Sequence, residues 1–287
     1  MQLKTLAQQC GPMMLPASGV SVPEWMMGAF RRRCISFANG LSDTDTRVFW
    51  LQTAGLTIDL RLPLEYAQAE DRQQAALADH EGWYAHSVWD NTQLSWSAGA
   101  SSLAENRWPE AAELRRIGNC MMEFAPSGAY VEDWRLQNSL PGLLVGLELI
   151  SEEDLDSGDV RPAKGAVIVA GDYLGYVYQA PGSAASDFIT DIALAAPQNT
   201  DGEYVIRHSR HIDRVGQVLD ILGGFESAGQ PGTICQITES GRVRRTYRID
   251  TLINDFAFLV DTPLGDSAQR WFERYQSTLG RYLRRVF

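Results

Sequence analysis

Apolar and polar residues alternate over short stretches along most of the chain, the period-two pattern of half-buried antiparallel strands. The clearest unit is Arg47-Val48-Phe49-Trp50-Leu51-Gln52, then Thr53-Ala54-Gly55, then Leu56-Thr57-Ile58-Asp59-Leu60-Arg61. It predicts a hairpin with a three-residue loop, in which Gly55 is free to take positive φ. In that register Trp50 faces Ile58 and Val48 faces Leu60, giving one apolar side. Arg47, Thr57, Asp59 and Arg61 then share the other side. Further strands are predicted over 83–89, 92–96, 117–124, 130–136 and 143–149, and the Ala-, Gln- and Glu-rich stretch 64–80 reads as one short helix.

Residues 1–30, rich in Pro, Met and Gly, read as an irregular lead-in that packs onto a core. The acidic stretch Ser151-Glu152-Glu153-Asp154-Leu155-Asp156-Ser157-Gly158-Asp159 marks a candidate boundary. After it a second strand-rich set covers 166–170, 173–178, 189–194, 204–208, 217–225, 233–238 and 244–249. At the end the period changes. Trp271, Phe272, Tyr275, Leu279, Tyr282, Leu283 and Val286 recur at helical spacing, with Arg270, Arg274, Arg281, Arg284 and Arg285 beside them. This predicts a helix that closes a barrel mouth or sheet edge. The alternative is a basic amphipathic helix that meets a membrane or a partner.

Composition narrows the function classes. The 287 residues are 45% hydrophobic and carry a net charge of −11, so the chain is globular and binding nucleic acid through a basic surface is disfavoured. No apolar run is long enough to span a bilayer. Cys10, Cys34, Cys120 and Cys235 are widely separated, which suits packing roles in a reducing compartment. The first residues show no secretory pattern, so the expected location is cytoplasmic. Seven of the 8 tryptophans precede residue 140, which makes the first half the better place for a small-molecule pocket.

Several runs carry a resemblance: Arg31-Arg32-Arg33-Cys34-Ile35, Asp43 through Gln52, Ile58 through Pro63, Met122-Glu123-Phe124, and Gly128 through Trp134. Together they resemble a group of bacterial proteins similar to a fungal casein-kinase-interacting protein built from two lipocalin-like barrels. The resemblance covers mainly residues 31–150, with a weaker echo in 167–177. It implies the fold and supplies no catalytic residue. Lipocalin-like pairs of barrels also occur in carotenoid hydratases and some natural-product cyclases, an analogy of fold alone.

Among individual residues, Glu132 stands out. Tyr130, Glu132 and Trp134 share a strand face, and a turn over 125–129 places Cys120, Met122 and Phe124 on that same side. A carboxylate so surrounded is desolvated and suited to general acid–base work; the alternative is a structural Glu–Arg pair. Asp59, between Arg47 and Arg61, would help bind a carboxylate or polarise a carbonyl if its side faces a barrel interior, and forms an ordinary surface cluster otherwise. His86 shares a face with Tyr84 and Val88. His208 and His211 have metal-like spacing but no companion ligand, and the acidic run lacks a calcium-loop pattern. No nucleotide, flavin or PLP motif is present.

The sequence therefore predicts an all-β chain of two lipocalin-like (calycin-type) antiparallel barrels, residues 1–150 and 151–287, with a C-terminal helix. The expected activity is cofactor-independent acid–base catalysis of the lyase, hydratase, isomerase or cyclase kind. Its substrate would be a small apolar molecule with a polar end. Glu132, Asp59 and His86 are the catalytic candidates; Arg47, Arg61, Trp50, Tyr130, Trp134 and Met122 are the ligand-binding ones, with no metal or cofactor. The alternative is a non-catalytic carrier or protein-interaction module, and a homodimer is left open.

Overall fold

The computed structural model describes residues 1–63, 80–103, 110–196, 203–238 and 242–281. The helix expected over 64–80 falls almost wholly outside these residues, as do Tyr282, Leu283, Arg284, Arg285 and Val286.

Eight strands close the first unit: β2 (Gly28–Phe37), β4 (Arg47–Gln52), β5 (Leu56–Leu62), β6 (Glu81–Trp89), β7 (Gln93–Ser101), β8 (Ala112–Ile117), β9 (Cys120–Phe124) and β10 (Tyr130–Leu136). Each pairs antiparallel with the next, and β10 returns to β2 from Tyr130–Phe37 to Leu136–Phe30, so the sheet is a closed barrel. A two-residue strand, β3 (Ser42–Asp43), lies on the end of β2.

The second unit is a sheet in the order β15-β14-β13-β12-β11-β18-β17-β16. Its strands are β11 (Gly142–Asp154), β12 (Val160–Ala170), β13 (Tyr173–Gln179), β14 (Ile189–Ala195), β15 (Tyr204–Ser209), β16 (Phe225–Ser227), β17 (Thr233–Ile237) and β18 (Val243–Phe256), with β1 (Met13–Met14) on β18. Residues 217–219 continue beside β15 through the Ile206 N–H to the Gln217 carbonyl and the Leu219 N–H to the Tyr204 carbonyl. Among the described residues no ladder joins β15 to β16.

Three expectations change here. The acidic stretch is the tip of the β11–β12 hairpin rather than a linker, its Asp154 carboxylate accepting the Asp156 and Ser157 N–H groups. The change of sheet comes earlier, between Leu136 and Gly142. The lead-in is partly ordered: α1 (Leu3–Cys10) buries Leu3, Leu6 and Ala7 in the second sheet's core, with Leu3 N–H bonded to the Leu222 carbonyl. The C-terminal helix α2 (Asp266–Leu279) forms as predicted but buries none of its residues; Trp271 is 50% exposed. It closes nothing.

The two units meet face to face. Leu51, Ile58 and Leu60, on the outside of the barrel, pack into one apolar cluster with Ile168, Val177, Phe188 and Ile192 of the second sheet. A Cβ on Gly175 would stand 3.1 Å from Leu51 and 3.2 Å from Ile58, so glycine there allows the close approach. At the tip of the β4–β5 hairpin, Asp250 Oδ2 accepts hydrogen bonds from the Thr53 hydroxyl (2.6 Å) and the Gly55 N–H (3.1 Å).

Candidate functional site

The β4–β5 hairpin turns in two residues, not three: the Thr53 N–H bonds the Leu56 carbonyl and Gln52 pairs with Thr57. A one-residue change of loop shifts the register, and side chains alternate with period two, so every cross-strand partner changes face. Trp50 therefore pairs with Asp59 and Leu51 with Ile58. Gly55 does not take positive φ; its missing Cβ instead leaves room for Pro16, which a Cβ would approach to 2.5 Å. Trp50, Thr57, Asp59 and Arg61 consequently point together into the barrel.

The same correction applies to β9 and β10. Their loop has four residues, with Ala125 N–H on the Tyr130 carbonyl, and is built on a turn in which Gly128 N–H reaches the Ala125 carbonyl. Pro126 after Ala125 and Gly128 at φ +74 suit a type I turn followed by a left-handed residue. Glu132 then stands opposite Glu123, and Trp134 opposite Met121. Cys120, Met122 and Phe124 fall on the other face, so Met122 does not line the cavity.

Inside the barrel is a cavity of about 400 Å³, walled by Trp50, Trp83, Trp96, Trp134 and Tyr130, with Asp59, Arg61, Glu123 and Glu132 among its polar groups. The rings meet edge to face in a chain: Trp83 to Trp96 at 6.0 Å, Trp96 to Trp50 at 6.3 Å, and Trp50 to Trp134 at 5.5 Å between centroids. Their N–H groups are engaged. Trp50 donates to Gln52 Oε1 (3.1 Å), Trp96 to Thr57 Oγ1 (3.1 Å), and Trp134 to both Glu123 Oε2 (3.0 Å) and Glu132 Oε2 (3.1 Å). A bulge in β7 at Ala98 and Gly99, both at positive φ, supplies part of one wall. A Cβ on Gly99 would overlap the Tyr84 carbonyl, so only glycine fits.

The charges are paired unevenly. Arg32, 5% exposed, donates to Glu132 Oε1 and to Asp43 Oδ2, each at 2.7 Å. A bulge in β2 opposite Asp133 and Trp134 turns Arg32, alone of the Arg31–Arg33 run, inward. Arg61 Nε donates to Asp59 Oδ1 at 2.9 Å. Burial raises the Asp59 carboxyl to about 6 against the pull of Arg61. Burial first, and the neighbouring Glu132 charge second, push Glu123 well above its ordinary value despite Arg61 and the Trp134 N–H. Burial and the two glutamates also raise the Tyr130 hydroxyl. Two carboxyl groups sharing one N–H donor in a desolvated space favour one proton between them. Glu123 thus keeps its proton to higher pH than an ordinary carboxyl group.

The remaining candidates lie elsewhere. His86 points out of the barrel into the seam, its Nε2–H donating to Glu148 Oε2 at 3.0 Å beside Arg248. Burial works to raise the Glu148 carboxyl, but His86 and Arg248 outweigh it and hold it below its ordinary range. Arg47 is exposed on the outer face, so it does not reach a ligand in the cavity. His208 stacks on Phe49 at 4.4 Å, and burial with nearby Arg47 and Arg31 lowers it to about 4, whereas His211 Nε2 meets the Phe188 carbonyl. Among the described residues no group of three His, Cys, Asp or Glu side chains could hold a metal ion, and no helix is long and apolar enough to cross a membrane.

Sequence reasoning reached Glu132, Asp59, Arg61, Trp50, Tyr130 and Trp134, which the barrel brings together. It missed Glu123, Trp83, Trp96 and Arg32. The Pro126-Ser127-Gly128 turn signals a tight loop there, but a type I turn with a left-handed glycine after it serves loops of three to five residues, so it does not decide the parity that sets Glu123 opposite Glu132. Set against known proteins, the chain matches no family model, no curated protein and no solved structure.

Proposed function

We propose that the chain is a cofactor-independent acid–base catalyst of the lyase, hydratase, isomerase or cyclase kind, acting on a small molecule held in the first barrel. The observation that carries this reading is the Glu123–Glu132 pair, joined through the Trp134 N–H at the wall of an aromatic cavity. Arg32 engages Glu132, and Glu123, whose carboxyl is raised by burial, is the group to hold and donate the proton. A carboxyl group that burial holds protonated above its ordinary range is what a general acid needs. Asp59 and Arg61 orient a polar substituent, and the tryptophans shape the ligand. Kinship with the bacterial relatives of the fungal casein-kinase-interacting protein, a lipocalin-like type for both halves, a homodimer and a cytoplasmic location belong to the same proposal.

The alternative is a non-catalytic carrier or interaction module, favoured by the ion pairs that already occupy Glu132 and Asp59. Native mass spectrometry of protein purified from its own host separates the two. A co-purified small molecule is then incubated with wild type and Glu123→Gln. Turnover by wild type, reduced at least about 100-fold in the variant while binding persists, supports catalysis. Equal binding with no turnover by either supports the carrier.

A further inference from the structure

Among the described residues that line the cavity, three are acids, Asp59, Glu123 and Glu132, and one is a base, Arg61. All three acids are buried, and Arg32 stands behind Glu132 in the barrel wall. Arg32 is committed to Glu132 and Asp43, and it does not line the cavity. Arg61 lies along Asp59, with Nε and Nη2 on the two carboxyl oxygens at 2.9 and 3.4 Å.

The aromatic walls have the same bias. The N–H edges of Trp50, Trp96 and Trp134 are spent on Gln52, Thr57 and the glutamates, and Trp50 and Trp134 are almost fully buried, so the ring surface open to a ligand is chiefly that of the half-buried Trp83 and Trp96. An indole face carries negative potential and attracts cations, more strongly where water is excluded. The edge-to-face contacts hold Trp83 and Trp96 perpendicular to each other at 6.0 Å beside the cavity. Ring faces and carboxylate oxygens thus converge on one desolvated space, and both favour positive charge.

We propose that the cavity binds a small organic cation, a quaternary or protonated amine, with its charged centre between the Glu123–Glu132 pair and the faces of the tryptophans. This rests on the cavity being a ligand site, as proposed above, and narrows the class of ligand. Entry of such a cation, which itself accepts no proton, displaces the proton held by the glutamate pair to solvent, so the cation occupies the site without being the molecule that Glu123 protonates. Binding is therefore linked to proton release and strengthens as pH rises, the direction that the raised Glu123 carboxyl requires.

Three probes sharing a benzyl or phenyl group and differing in charge test this: benzyltrimethylammonium, benzyl alcohol and benzoate. Each is titrated into the wild-type chain at pH 5 and pH 8 by calorimetry and tryptophan fluorescence. The cation is expected to bind at least about tenfold tighter than benzyl alcohol at pH 8. That ratio should shrink at pH 5, and benzoate should bind weakest. In Glu123→Gln the preference should fall to within about threefold. Benzyl alcohol or benzoate binding as tightly as the cation overturns the cation assignment while leaving the cavity as a ligand site. Binding of none of the three overturns the ligand-site reading with it. The three-probe comparison on wild type is decisive whether or not the variant folds.

Discussion

The closed barrel and the second sheet use the same antiparallel strands in sequential order, and their inner faces have opposite character. The second sheet fills its interior with Val145, Leu147, Val167, Val169, Leu174, Ile206 and Ile249, and α1 adds Leu3 and Leu6. Its charged groups gather where they pair, as Arg245 with Glu152 and Arg214 with Asp191. The barrel encloses an open cavity, surrounds it with indoles and buries Asp59, Glu123 and Glu132 along it. Filling a core with apolar side chains stabilises the fold, whereas burying carboxylates costs free energy that must be offset elsewhere. Here the offset comes in part from the apolar face the barrel lays against the second sheet. One half supports; the other is free to carry a site.

The sharpest way to break this comparison is to remove one side chain from each interior, a charged one from the barrel and an apolar one from the second sheet. Glu132→Ala strands Arg32 in the barrel wall with Asp43 alone, and it should lower stability by about 3–5 kcal/mol in urea unfolding followed by circular dichroism. Leu147→Ala in the filled sheet should cost about 2–5 kcal/mol through its cavity. If Glu132→Ala proves neutral while Leu147→Ala does not, the ion pair does not hold the barrel wall together.

A smaller effect of definite sign comes from Glu123. Its folded carboxyl titrates well above the ordinary 4.5, so the folded state retains a proton that the unfolded chain has released. The contribution of this group is full below pH 4.5 and declines as pH rises through the folded value. Asp59, raised from 3.8 to about 6, acts in the same direction over that window. Glu123→Gln should therefore gain in melting temperature relative to wild type as pH goes from 4 to 8. A constant difference across that range would mean that Glu123 is an ordinary carboxylate. The smallest effect belongs to α2: Trp271→Ser should change stability by no more than about 0.5 kcal/mol, because the helix buries nothing.

Most strands were legible in the sequence because alternation is local: β6, β10, β12, β13 and β14 lie where the pattern put them, within a few residues. The helical period of α2 was equally plain. Glu132, Asp59 and Arg61 could be singled out because a charged side chain inside an apolar strand is conspicuous. What could not be read was the company they keep. Two loops, each one residue shorter than expected, decide that Trp50 stands with Asp59 and that Glu123 stands opposite Glu132. A bulge decides that Arg32 turns inward.

By itself, then, the sequence determined the strands, their polar and apolar faces, the terminal helix and the residues able to do chemistry. Closure of the barrel, the face that looks inward, the burial of α1, the exposure of α2 and the pairing of the two glutamates were decided only by the tertiary structure. The physical reason is parity. Along a strand the side-chain period is two, so composition specifies two faces, but the turn and the bulge select which face of one strand meets which face of the next. That selection draws on contacts distant in sequence, such as Asp250 holding the tip of the β4–β5 hairpin.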